Sequence, residues 1–130
     1  TPGQVSQAEL PRLYGMADLY ISASHSDGTS ISLLEAMACG KPALVSDIPG
    51  NQEWITPGEN GWLFPDGEAH SLSEAITRAI AQRARLPEMG QAGRQLAERE
   101  ANWDKNFRVL LKAYETVFNR STNQSKDTLN

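Results

Sequence analysis

Residues 25–42 read His25-Ser26-Asp27-Gly28-Thr29-Ser30-Ile31-Ser32-Leu33-Leu34-Glu35-Ala36-Met37-Ala38-Cys39-Gly40-Lys41-Pro42. Just upstream, residues 19–23 form a short apolar run of the kind that makes a buried strand. Gly28 permits a conformation and a close backbone approach that a side chain forbids. Thr29 and Ser30 supply hydroxyls able to cap a helix, which the pattern predicts over about 30–39. Gly40 then stands where a left-handed C-cap is wanted, and Pro42 blocks continuation. Residues 42–46 make a second buried strand. Strand, helix and strand in that order give a parallel pair joined by a right-handed crossover, so the class is α/β.

Working outward, residues 61–64 read as a third strand. Ser6-Gln7-Ala8-Glu9 fits a capping box, with Ser6 capping the helix amides and Glu9 reaching back, and Leu10, Leu13, Tyr14 and Ala17 follow at helical spacing. Ser71-Leu72-Ser73-Glu74 fits a second box, and Leu72, Ala75, Ile76, Ala79 and Ile80 form one apolar stripe. A looser helix over 87–100 is weakened by Gly90 and Gly93. Asn102 can cap a last helix on which Phe107, Leu110, Leu111, Tyr114, Val117 and Phe118 share a face. Residues 120–130, polar and without periodicity, read as a disordered tail, leaving one domain over 3–119. Three strands are fewer than the roughly five or six of a doubly wound sheet, so the expected architecture is the second half of a Rossmann-like parallel sheet with C-terminal helices. Thr1-Pro2-Gly3-Gln4-Val5 reads as the tail of a strand or of a βα loop.

At 130 residues the chain has room for a single core. A net charge of −4 without a cluster of Lys and Arg argues against nucleic acid as the main partner. Cys39 is the only cysteine, which rules out an internal disulfide; flanked by Ala38 and Gly40, it reads as a small buried helix residue.

Open α/β sheets bind ligands at the C-terminal ends of their strands, which is where 25–35 falls. The first-turn amides, from about Thr29 to Leu33, present partial positive charge to an anion such as a diphosphate. Taken alone, strand, glycine and helix is simply how α/β domains turn corners. The longer pattern is more specific. Asp27 and Glu35 bracket seven residues; Ala36-Met37-Ala38-Cys39-Gly40-Lys41-Pro42, Ser46-Asp47, Gly50-Asn51-Gln52-Glu53 and Gly58-Glu59-Asn60-Gly61-Trp62-Leu63 follow in order. Together they resemble glycosyltransferase family 4, retaining enzymes of the GT-B fold, over roughly residues 3–118. The match is to the C-terminal, donor-binding domain.

The resemblance implies a nucleotide-diphosphate sugar as donor substrate, no metal, and no separate cofactor. Glu35 matches the acid that accepts hydrogen bonds from the two ribose hydroxyls, a chemically apt role because an ionised carboxylate is purely an acceptor. Asp27 stands where the family most often has Glu, near the donor sugar and the reacting centre; it reads equally as a loop carboxylate bonding its own backbone. Gly28, Thr29, Ser30, Ile31 and Ser32 match the segment whose amides meet the diphosphate. Leu33 and Leu34 match positions near the ribose, and both fit the core as well. Val5 and Ser6 match a loop bordering the base. Glu53 reads either as a contact to the nucleotide or as a helix-starting acid, and His25 as an exposed loop residue beside the site.

Between Tyr20 and Asn60 the only permanent cation is Lys41, past the far end of the helix. The family's phosphate-binding Arg and Lys come from earlier in the domain, and acceptor recognition comes from a separate N-terminal domain. The resemblance therefore implies an enzyme of hexosyltransferase type whose 130-residue portion is inactive alone, and whose last helix, lacking its usual partner, favours homodimers or swapped association. A cytoplasmic location is implied, with the full-length protein peripheral at the inner membrane face as a variant. The rival reading is a non-catalytic module that kept the fold and lost the reaction.

Overall fold

Three parallel strands organise the chain: β1 Tyr20–Ser22, β2 Ala43–Ser46 and β3 Gly61–Phe64, hydrogen-bonded in the order β1-β2-β3. The register sets Ile21 beside Leu44 and Val45 beside Leu63. The computed structural model describes Gly3 and residues 5–127, with side chains as far as Thr116. The remaining elements are α1 Leu10–Met16, α2 Ile31–Ala38, α3 Pro49–Gln52, α4 Ala69–Ala81, α5 Leu86–Glu100 and α6 Trp103–Asp127, with a 3-10 turn at Arg83–Arg85. The class is α/β, as the sequence predicts, and the chain divides into one unit up to Arg99 and a second from Glu100.

In the first unit every residue of β2 is buried, and alternation sends its side chains to opposite faces. Ala43 and Val45 join Leu33 and Met37 of α2, Ile55, and Ala97 of α5. Leu44 joins Phe64 and Ala75, with Leu72 and Ile76 of α4 against them. Helices thus cover both faces of the sheet, which is why β2 reads as a continuous apolar run.

Both ends of α2 follow from its sequence. Ser30 Oγ accepts the Leu33 amide at 3.4 Å, a cap that stabilises by roughly 0.5–2 kcal/mol. At the other end Gly40, with φ +70°, donates its amide to the Met37 carbonyl at 2.8 Å, and Lys41 donates to Ala36 at 2.9 Å. That pair of bonds is a Schellman motif, and its left-handed residue is the reason for a glycine.

Other expectations change. Gly90 and Gly93, read as weak points, are contact points: a side chain at Gly90 would meet the Gly40 carbonyl and the Pro42 ring, and one at Gly93 would touch Asn60 and Met37. Helix α4 begins one turn earlier than expected, and no side chain caps its first amides. Its N-cap is Glu68, which accepts a hydrogen bond from Ser71 Oγ at 2.7 Å. The box at Ser6 is half formed: Glu9 Oε2 accepts the Ser6 amide at 3.0 Å and its hydroxyl at 2.7 Å, so Ser6 Oγ donates to Glu9 instead of capping amides. Cys39 is half-buried, because it ends α2 instead of lying inside it. Ile80 stays 59% exposed although it lies on the apolar stripe of α4.

The second unit is α6. Asn102 Oδ1 accepts the Lys105 amide at 3.0 Å, the expected cap, and the Trp103 and Phe107 rings stack at 6.0 Å. The helix continues to Asp127, into the stretch read as a disordered tail. Neither Gly nor Pro occurs after Trp103 to stop it. Residues 128–130 of that stretch lie outside the described residues, as do the side chains of Val117 and Phe118.

Candidate functional site

The loop that leaves β1 is held on two sides at the C-terminal edge of the sheet. Ser46 Oγ, at the end of β2, donates to the Ser24 carbonyl, and Asn51 Nδ2 donates to the Ser46 carbonyl at 2.8 Å. His25 Nδ1 is hydrogen-bonded to Asp66 Oδ1 at 2.7 Å, tying this loop to the one after β3. Gly50 in α3 lies directly on the carbonyls of Asp27 and Gly28, leaving no room for a side chain of its own. Asp27 is exposed and makes no side-chain hydrogen bond among the described residues. Neither α3 nor the His25–Asp66 contact is legible in the sequence, since both join residues through space.

Gly28 departs from the sequence expectation in one respect. Its φ lies outside the left-handed region, so the turn does not require glycine for its conformation. A methyl there would project into open space, with no atom of the described residues within 4 Å apart from its immediate chain neighbours. The remaining reason for a glycine is access to the backbone from outside.

Directly after it, α2 begins. Ser30 is buried and its hydroxyl caps the Leu33 amide, while the amides of Ile31 and Ser32 have no protein acceptor among the described residues. Thr29, Ile31 and Ser32 are exposed. Leu33 is not: at 1% exposure it belongs to the core, and its amide is taken by the cap, so it is removed from the set facing solvent. Leu34 is half-buried against the same cluster.

Glu35 lies on the second turn of α2, half-buried. Its Oε2 accepts one hydrogen bond, from Tyr14 Oη at 3.2 Å, and no cation pairs with it among the described residues. Tyr14 Oη also lies 3.3 Å from the Ser32 carbonyl. Tyr20 Oη and Ser32 Oγ are 2.7 Å apart, and Ser32 Oγ is 3.1 Å from Ser30 Oγ. Burial, then the neighbouring Glu35 charge and hydrogen bond, push the Tyr14 phenol up to about 12. In the sequence Tyr14 reads as an apolar helix position and as part of the Leu13-Tyr14 match to the family, with no role for its hydroxyl. The available signal was that a part-buried tyrosine needs a partner for its hydroxyl.

Val5 and Ser6 precede α1; the side-chain hydrogen bonds of Ser6 go to Glu9, and none among the described residues joins either residue to the Gly28 turn. Glu53 ends α3 at its C-cap, so it does not start a helix. Lys41 Nζ donates to the Gly15 carbonyl at 3.1 Å, at the end of α2 away from Gly28. Lys41 lines a cleft of about 600 Å³ with Asp18, Pro42, Ile80 and Arg83. That cleft lies at the N-terminal ends of β1 and β2, opposite the edge where α/β sheets take ligands. A smaller recess of about 210 Å³, bordered by His25, Asp66 and Glu68, lies at the C-terminal edge. Among the described residues no three His, Cys, Asp or Glu side chains converge as a metal cage, and no helix is long and apolar enough to cross a membrane.

This arrangement suits an anion above free helix amides with a hydroxyl-bearing group beside a carboxylate. Comparison with known proteins identifies the family. Residues 1–96 match the family described as glycosyl transferases group 1. The D-inositol 3-phosphate glycosyltransferase of Gordonia bronchialis is 33% identical over 107 residues, which are 82% of this chain and 23% of that protein. The sucrose-phosphate synthase of Thermosynechococcus elongatus superposes with a TM-score of 0.84 at 30% identity, over 91% of this chain and 30% of that one. The HepE protein of Anabaena, solved in complex with UDP, shares the fold at a TM-score of 0.78 and 22% identity, over 85% of this chain and 30% of its own. The chain thus spans less than a third of each of these proteins. Its sheet, its helix after the Gly28 turn and its motif order make it a member of the group 1 glycosyl transferases, with the α/β fold of the GT-B glycosyltransferases.

Proposed function

We propose that this chain is the donor-binding part of a retaining glycosyltransferase of the family 4 type, moving a hexose from a nucleotide-diphosphate sugar to a sugar, lipid or other acceptor. The observation that carries the proposal is the state of Glu35: half-buried, without a cation, and with one oxygen engaged by a single neutral donor. A carboxylate so placed has acceptor capacity left for a vicinal diol. The amides of Ile31 and Ser32, one turn away, are positioned for the diphosphate, and the open approach above Gly28 leaves room for it. Asp27, fixed through its backbone and free in its side chain, faces the donor sugar in this reading.

No metal or further cofactor is required in this reading; the leaving diphosphate is instead neutralised by cations outside this chain. Lys41 supports that division, because it is committed at the opposite end of α2. The acceptor and the second half of the active site belong to another domain of the full-length protein, a cytoplasmic enzyme in this reading.

Two hydrogen bonds to a charged acceptor contribute about 1.5–3 kcal/mol each, so Glu35→Ala lowers donor affinity about 10²-fold or more. The test is sugar transfer by the full-length protein from UDP-, GDP- and ADP-sugars, beside Glu35→Ala and the 130-residue chain alone. Transfer with retention of the anomeric configuration, lost in Glu35→Ala and absent from the short chain, is expected. A protein indifferent to every nucleotide sugar and to the substitution would be a scaffold instead.

A further inference from the structure

The Tyr14 hydroxyl has one hydrogen and two acceptors at nearly equal distance, Glu35 Oε2 at 3.2 Å and the Ser32 carbonyl at 3.3 Å. Glu35 and Ser32 are three residues apart on α2, so one phenol from α1 spans the first two turns of the neighbouring helix on one side. The Tyr14 ring lies tilted against that of Tyr20, with centroids 6.4 Å apart, and the Tyr20 hydroxyl meets Ser32 Oγ. The two rings therefore support the same turn from adjacent elements.

A carboxylate on a helix has free rotation about its terminal bonds unless something fixes it. Here only Tyr14 does so among the described residues. We infer that Tyr14 is a positioning residue: it holds Glu35 Oε2, turns Oε1 toward the incoming ribose, and so sets how sharply the site distinguishes a ribonucleotide from one lacking the 2′-hydroxyl. This rests on the donor-binding reading above. A neutral donor suits the task, since a cation there would satisfy the carboxylate and weaken its hold on the diol.

The test compares dissociation constants of UDP, GDP and ADP with those of their 2′-deoxy counterparts in the full-length protein, for wild type, Tyr14→Phe, Glu35→Gln and the double variant. Tyr14→Phe keeps the ring and removes only the hydroxyl; thermal melting monitors folding separately. The ratio of ribo to deoxyribo affinity is the readout, because a general structural defect weakens both ligands alike. The expected result is a wild-type preference for the ribonucleotide, a preference reduced about five-fold in Tyr14→Phe, the size of one hydrogen bond, and no further reduction when Tyr14→Phe is added to Glu35→Gln. An unchanged ratio in Tyr14→Phe, with Glu35→Gln still abolishing the preference, overturns the role of Tyr14 and leaves the donor site standing. A wild type with no preference for the ribonucleotide overturns both.

Discussion

Tyr14 keeps its proton far into the alkaline range, its phenol pushed up to about 12 by burial and by Glu35. A raised value means the protonated form is favoured by folding. The associated stability is fully present below the ordinary tyrosine value of about 10 and is lost as pH rises through about 12. Ultraviolet titration should show Tyr14 ionising late, and Glu35→Gln should bring it earlier. Glu9 behaves in the opposite sense. The Ser6 hydroxyl, then its amide, hold the Glu9 carboxyl below its usual range, so the turn leading into α1 is secure at neutral pH and loosens as acid passes through that lowered value. Faster exchange of the Ser6 amide in acid, relative to amides of α2, is the expected sign. Two glycines separate backbone need from ligand access. Gly40→Ala costs about 1 kcal/mol in urea unfolding, since only its positive φ is at issue and the space around it is open. Gly28→Ala stays within about 0.5 kcal/mol of wild type yet weakens nucleotide binding. The left-handed role of Gly40 was legible as a helix C-cap, but whether Gly28 answered to φ or to space was not, because that depends on neighbours brought up by the fold.

At the scale of elements, α2 was the most legible part, with Ser30, Gly40 and Pro42 marking both ends chemically. The start of α4 was misplaced because Ser71, which local pattern marks as a cap, lies inside the first turn and donates its hydroxyl to the Glu68 carboxylate. The short α3 has no apolar period to announce it, although it closes on the loop of Asp27 and Gly28 through Gly50. Leu33 shows the limit for the site: a helix residue one step away from Ser32 turns inward, so a linear motif does not tell a solvent-facing position from a core one. The contact between α5 and the turn of α2 predicts a clear cost. Gly90→Ala forces its methyl onto the Gly40 carbonyl and should lose about 1–3 kcal/mol, against a few tenths for an exposed helix position such as Gln91→Ala. Chemical denaturation of both variants checks this.

On the scale of the whole molecule, both buried clusters are formed by residues between Leu19 and Ala97. The unit up to Arg99 therefore holds its own core, and truncation after Glu100 should preserve a cooperative melt. The unit from Glu100 is one amphipathic helix with no second element in it to cover Phe107, Leu110 and Tyr114. Such a face favours association, so the 130-residue chain should sediment with a concentration-dependent mass and the truncated one should not. The chain covers 30% of the sucrose-phosphate synthase it superposes on.

The central claim concerns which edge of the sheet receives the nucleotide, since the larger cleft lies at the other one. Amide chemical shifts recorded by NMR during titration with UDP, GDP and ADP decide it. One of them should move the amides of Gly28, Ile31, Ser32 and Glu35 in a saturable way while those of Leu19, Lys41 and Arg83 stay still. Shifts confined to Leu19, Lys41 and Arg83 would contradict the claim.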